Sequence, residues 1–208
     1  MHASANDPHL ELKNGTISYF DKDGARKTVE VGSQCADLWV APDESIFTFI
    51  SMDRTSGPDS YGQLLIESSS IYTAEREDNY TPKRLPIKPV RDYDRDWEVF
   101  LNPKVLPDRG TVIFKIPVSV TSGDLFAYDA KTKMISKLEG AVEEYCTVWN
   151  GPMAGVILVQ HRQMTDVGPT YACNAVSVNG KQTRLTEHCD DFDKFLTEWS
   201  RTHGQQCY

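Results

Sequence analysis

The stretch Leu38-Trp39-Val40-Ala41-Pro42-Asp43, followed after Glu44-Ser45 by Ile46-Phe47-Thr48-Phe49-Ile50-Ser51, decides how this chain is read. A short apolar run stops at a Pro-Asp pair, and a run of β-branched and aromatic residues follows. Proline presets the turn dihedral and aspartate bonds its own backbone two residues on, so the pattern is a strand, a tight turn and a second strand. It recurs twice. Lys104-Val105-Leu106-Pro107-Asp108 leads into Thr111-Val112-Ile113-Phe114-Lys115-Ile116, and Thr147-Val148-Trp149-Asn150-Gly151-Pro152 leads into Gly155-Val156-Ile157-Leu158-Val159-Gln160. A recurring pattern of this kind signals a repeat rather than a list of strands.

A second hairpin follows each of the first. Ser70–Ala74 returns as Pro82–Leu85, Asp124–Asp129 returns as Ile135–Leu138, and Ala172–Val178 turns at Asn179-Gly180 into Gln182–Leu185. A further copy of that second hairpin opens the chain, Gly15–Phe20 returning as Lys27–Val31. Three four-strand units preceded by a half unit, at spacings of roughly 45 to 65 residues, are what propeller blades look like in sequence.

Residues 10 to 187 resemble the TolB-type, WD40-like propeller repeat. In that repeat an aromatic strand ends at a Ser-Pro-Asp-Gly-like turn, an apolar strand follows, and an "LYD...G...LT" hairpin closes the blade. Trp39-Val40-Ala41-Pro42-Asp43 and Leu125-Phe126-Ala127-Tyr128-Asp129 carry the resemblance best, while the turns Pro42-Asp43-Glu44, Pro107-Asp108-Arg109-Gly110 and Pro152-Met153-Ala154-Gly155 depart from it. The expectation is an all-β, small or incomplete β-propeller-like fold of about four antiparallel sheets, one half blade plus three full blades. An antiparallel sandwich with coincidental spacing is the alternative. The leftover half blade could dock beside the last blade and close a ring. Phe192, Phe195, Leu196 and Trp199, at i, i+3, i+4 and i+7, predict a short C-terminal amphipathic helix that covers a sheet edge or a gap in the ring. The expected divisions are an N-terminal tail over 1–9, the β domain over 10–188, and the helix and tail over 189–208.

Composition narrows the partners. The chain has 208 residues and a net charge of −8. Nucleic-acid binding draws on clustered Lys and Arg, so an acidic chain points instead to a protein partner with a basic surface. No apolar run reaches the ~20 residues that span a bilayer. Five cysteines show no C-x-x-C spacing, which argues against structural zinc. Cys189 and Cys207 bracket the expected helix and are the candidate disulfide. Five cysteines at strand starts and near the terminus suit export, so the expectation is a periplasmic or secreted protein whose signal segment has been removed. Free thiols in a reducing compartment are the alternative.

Candidate chemistry centres on the connections between second and third strands, which leave one face of a propeller: Asp53–Ser69, Pro117–Gly123 and His161–Pro169. Within the first, Ser56-Gly57-Pro58-Asp59-Ser60-Tyr61-Gly62 holds half a nucleophile elbow, because Asp59 stands where the G-x-S-x-G turn needs glycine. His161 is the one histidine at the root of such a loop, and no acid can be assigned to it from spacing. In the prolyl oligopeptidase relatives of this repeat, the nucleophile belongs to a separate α/β-hydrolase domain, and no βαβ alternation supplies one here. Arg91-Asp92-Tyr93-Asp94-Arg95-Asp96 alternates carboxylates but lacks the glycine and distal glutamate of a calcium loop. Neither a catalytic set, a metal site nor a cofactor is therefore expected. The candidate partner-binding residues are Asp59, Ser60, Tyr61, Asp92, Tyr93, Trp97, Ser122, Thr165 and Asp166, where Tyr and Trp offer interface anchors. The functional expectation is a non-catalytic, exported protein-binding module. At the level of architecture it is similar to the type VI secretion immunity proteins that block peptidoglycan amidases, in which a loop carrying a serine can plug the effector's cleft. A glycan-binding domain that stacks Tyr61, Tyr93, Trp97 and Tyr171 on a saccharide is the competing class, and a hydrolase the third.

Overall fold

The computed structural model describes residues 10–13, 15–20, 25–32, 34–58, 64–92, 95–119 and 122–208. The first sheet is antiparallel and three-stranded, β1 (Leu10–Lys13), β2 (Thr16–Phe20) and β3 (Arg26–Glu30). It therefore has one strand more than the expected half unit. Blade one is β4 (Cys35–Val40), β5 (Ile46–Pro58), β6 (Leu64–Glu75) and β7 (Lys83–Arg84). A connector follows as a small hairpin of β8 (Val90–Asp92) and β9 (Arg95–Trp97).

The remaining strands form one continuous sheet in chain order: β10 (Leu101–Val105), β11 (Thr111–Pro117), β12 (Gly123–Asp129), β13 (Met134–Thr147), β14 (Ile157–Thr165), β15 (Gly168–Val176) and β16 (Gln182–Thr186). It is two blades fused through β13. That strand pairs with β12 up to Val142 and with β14 from Val142 to Thr147. Ala141, left-handed at φ 51°, turns the chain at the handover. Thus one strand is both the outer strand of blade two and the inner strand of blade three.

The Pro-Asp turns behave as their chemistry dictates. The Ala41 N–H donates to Ile46 O (2.9 Å) and the Leu106 N–H to Thr111 O (2.9 Å), while the Asp43 and Asp108 carboxylates accept from Ser45 N and Gly110 N at 3.0 Å each. The third turn departs: Val148 bonds to Val156 across a longer loop.

Alternation along each central strand builds the core, because successive side chains point to opposite faces. In β5, Phe47 and Phe49 join Ile17, Tyr19 and Tyr80 against the first sheet, while Ile46 and Ile50 pack with Phe114, Phe126 and Tyr128 of blade two. On blade two's other face Ile113 and Leu125 meet Ile157, Val159 and Val176 of blade three. The opposite face of blade three, Leu158 and Cys173, is covered by Phe192 and Trp199. These lie on α1 (Phe192–His203), capped by Asp191, whose carboxylate accepts from Lys194 N (2.9 Å), and ended by Gly204 at φ 63°. Four clusters thus run in a row. Among the described residues, no buried cluster joins the first sheet to blade three, so the sheets follow one another along an arc, with the helix on the far face of blade three.

The cysteines pair differently from the expectation. Cys146 joins Cys207 and Cys173 joins Cys189, with Cα–Cα separations of 5.5 and 5.6 Å, so the Cys189–Cys207 link is not formed. Each end of the helical segment reaches its own strand. Cys189 N–H donates to Tyr171 O (2.9 Å) beside β15, whereas Thr147 and Tyr208 exchange backbone bonds of 2.7 and 2.9 Å on the inner strand. The links span 61 and 16 residues, worth about 4 and about 3 kcal/mol in the chain-entropy description. Cys35 is unpaired, and burial, with the Asp53 charge, raises its thiol pKa.

Candidate functional site

Two of the three connections read as loops are strand ribbons. β5 and β6 remain paired out to Pro58↔Leu64, although the lateral register with β4 runs only to Ser51. β14 and β15 remain paired to Thr165↔Gly168, beyond the last β13 partner, His161. Blades one and three thus each project a two-stranded ribbon from the connection between their second and third strands. The middle connection is short: Pro117 pairs with Gly123, where a Cβ would stand 2.5 Å from Ile116 O.

Both ribbons carry exposed apolar side chains among the described residues. Leu65 is 51% exposed on the first, and Met164 and Val167 are 71% and 95% exposed on the second. Arg54 binds the first ribbon together, reaching Glu67 at 3.1 Å and Glu98 of the connector at 3.2 Å. At its root the Ser69 hydroxyl donates to Phe100 O (2.9 Å), and the Ser70 hydroxyl bonds Asp53.

The expected contact residues distribute as follows. Thr165 and Asp166 sit at the tip of the second ribbon, the Thr165 hydroxyl donating to Gly168 O (2.7 Å). Asp59, Ser60 and Tyr61 belong to the segment between β5 and β6, and Tyr93 to that between β8 and β9; all four lie outside the described residues. Asp92 and Trp97 are in β8 and β9, opposite Arg95 and Val90. Ser122 is buried and its hydroxyl shares a 2.8 Å bond with that of Ser119, which ties it into the short middle connection.

His161 has an acid that spacing did not reveal. Its Nδ1 lies 2.9 Å from Gly140 O and 3.4 Å from Glu139 Oε1, and Asn174 Nδ2 donates to Glu139 Oε2 at 3.4 Å. The hydrogen bond that the imidazole donates to the Glu139 carboxylate raises the His161 pKa. Burial would raise the Glu139 carboxyl, but the bond and charge of His161 outweigh it and lower the value. The pair clasps the β13 corner to blade three.

A second site, absent from the sequence reading, lies where the inner strands converge. A pocket of ≈ 320 Å³ is lined by Asp37 and Trp39 of β4, Asn102 and Lys104 of β10, Lys115 of β11, and Glu143, Glu144 and Tyr145 of β13. Asp37 and Asn102 take equivalent places in bulged inner strands and are both left-handed, at φ 53° and 49°. The Asn102 N–H donates to Asp37 Oδ2 (2.8 Å), and the Tyr145 hydroxyl donates to Asn102 O, so one chain of bonds links three blades. Burial pushes Lys104 down to about 8 against the opposing pull of Glu144, and lowers Lys115 likewise. Burial, with Asp37, drives Tyr145 upward. The available signal was Lys115, a lone charge within the apolar run 112–116.

An arc of antiparallel blades around converging inner strands defines a β-propeller. Comparison with solved structures shows the same fold. The chain is similar to the β-propeller domain of the Trilobed protease from Pyrococcus furiosus, with TM-score 0.51 and 12% identity over 86% of this chain and 52% of that one. It is also similar to the structure of putative TolB from Agrobacterium tumefaciens, with TM-score 0.50 and 16% identity over 86% of this chain and 58% of that one. The chain therefore spans little more than half the length of either. No family model matches it, and no curated protein does. Two disulfides fit an extracellular or periplasmic compartment. Among the described residues no helix is long and apolar enough to cross a membrane.

Proposed function

We propose that this chain is an exported protein-binding module, without catalytic chemistry of its own, that grips its partner with the ribbon-bearing end of the arc. The observation that carries this is the pair of ribbons standing on either side of the short middle connection, with Leu65, Met164 and Val167 exposed on them. Apolar side chains on paired strands are held ready for contact at little further entropic cost, and an exposed apolar group next to polar ones is how an interface core and rim are built. The charge of −8 favours a basic partner. The specific form of this reading is an immunity-type inhibitor, in which the tip of the first ribbon enters the cleft of a secreted effector such as a peptidoglycan amidase.

A shortened variant tests it, with residues 54–67 replaced by Asn-Gly, a two-residue hairpin turn. Immobilised wild-type protein is expected to retain a basic protein from an extract of its native source. The shortened protein, melting within a few degrees of wild type, is expected to lose it. Equal retention by both, or none by the wild type, defeats the proposal. If the retained protein is a hydrolase, stoichiometric addition of the chain should silence it; undiminished activity rejects the inhibitor form alone.

A further inference from the structure

We infer that the pocket between the inner strands binds a single neutral sugar ring. Charges of both signs line it, and some of their polar atoms are left without a hydrogen-bond or ion-pair partner. The Glu143 Oε2 atom is enclosed and has no hydrogen-bond partner. The Lys104 ammonium stands 5.2 Å above the Tyr145 ring and, among the described residues, takes no carboxylate within ion-pair distance. Lys115 is buried and spends one proton on Glu143 O, at 2.7 Å. A carboxylate oxygen seeks a donor and an ammonium seeks an acceptor. An ionic guest of either sign meets like charge here, from Asp37, Glu143 and Glu144 on one hand or from Lys104 and Lys115 on the other.

A hydroxyl serves both needs, since it donates and accepts at once. Several hydroxyls on one rigid ring answer separated groups without carrying charge. The lining also includes Asn102, Trp39 and Tyr145, residue types that bond to hydroxyls and pack against the apolar faces of sugars. At ≈ 320 Å³ the pocket lies at the small end of ligand clefts, ~300–1,000 Å³, which suits one ring rather than a peptide segment. The left-handed Asp37 and Asn102 hold the inner strands in the bulges that shape it. This site uses none of the ribbon residues, so it stands or falls separately from the protein-binding reading.

Saturation-transfer NMR on the intact protein tests the inference, with glucose, galactose, mannose and N-acetylglucosamine as probes and glucuronate and glucosamine as charged counterparts. Saturation should pass to at least one neutral sugar and more weakly to either charged one. Lys104→Met and Glu143→Gln should each weaken that binding about tenfold or more, as for a lost hydrogen bond to a charged group. The same sugar should slow modification of Lys104 by an amine-reactive reagent in the wild-type protein, a readout that needs no variant to fold. Transfer to no neutral sugar, transfer that survives both substitutions, charged sugars bound as strongly, or Lys104 reacting at an unchanged rate would each overturn it and leave a pocket that holds water only.

Discussion

Glu139 and His161 show how a single contact can be read in pH. The His161 pKa is raised above its ordinary 6.5, so the stability it contributes is fully present below 6.5 and is lost as pH rises through the raised value. The Glu139 pKa is lowered below its ordinary 4.5, so its contribution is present above 4.5 and is lost as pH falls through the lowered value. Both hold between 4.5 and 6.5. Arg184 faces the imidazole and opposes its charge, while Asp124 and Lys137 pair beside the same corner. His161→Asn should therefore lower the melting temperature most near about pH 5.5 and progressively less toward about pH 8.5. A deficit constant across that range would mean that the ring acts by packing alone. Gly123 makes a steric statement of the same kind. Its missing Cβ is what lets Ile116 O approach, and the carbonyl belongs to the backbone and cannot swing aside. Gly123→Ala is expected to cost about 2–4 kcal/mol in a denaturant titration, and a cost below ~0.5 kcal/mol, the range of a neutral surface change, would show that the strand pair adjusts freely.

Helix α1 was legible because its information is local: one apolar stripe, an aspartate in front and a glycine behind. A covering role, over a sheet edge or a gap, was legible too, but that it covers a face of blade three was not, since that depends on which face of β14 and β15 is left open. The cysteine pairing failed for the same reason. Two cysteines bracketing a helix look like partners in sequence, yet a helix of 12 residues extends about 18 Å along its axis, so its ends reach separate strands. The ribbons were misread as loops because a two-stranded ribbon in solvent has no buried face, so its residues keep turn-like composition and lose apolar alternation. If α1 does the work of a blade, Trp199, 5% exposed against Leu158 and Cys173, should carry it. Trp199→Ala is expected to destabilise by about 3–5 kcal/mol, and Asp191→Ala, which removes only the cap, by about 1 kcal/mol. Equilibrium unfolding followed by circular dichroism separates the two. Equal costs would mean that the helix is held by its disulfides and hardly by its packing.

Across the whole molecule the repeat was the legible part, and the site was not. The Pro-Asp turns at residues 42 and 107 mark equivalent corners 65 positions apart, so sequence alone could place the blades. The pocket draws on residues 37, 104 and 143, which become neighbours only when three inner strands converge. Packing of this kind also makes stability uneven, because away from the centre, where Trp39 meets Trp149 at 5.6 Å and the inner strands converge, the buried clusters lie between neighbouring sheets and follow one another in a row. The first sheet has one covered face, through Ile17 and Tyr19 against blade one; its outer face carries Thr16, Ser18 and Thr28, with Thr16 bonded to Glu30 at 3.1 Å. Blade three is covered on both faces and tied by both disulfides. Local opening draws on the least-buried unit first. Native-state hydrogen exchange should accordingly find the lowest opening free energy in residues 16–20 and 26–30. Residues 111–117, 123–128 and 157–176 should exchange only near global unfolding. Reducing the disulfides should loosen 189–208 and leave 16–20 and 26–30 as they were. Uniform protection along the chain would contradict the row of separable sheets and would require a closing contact between the first sheet and blade three.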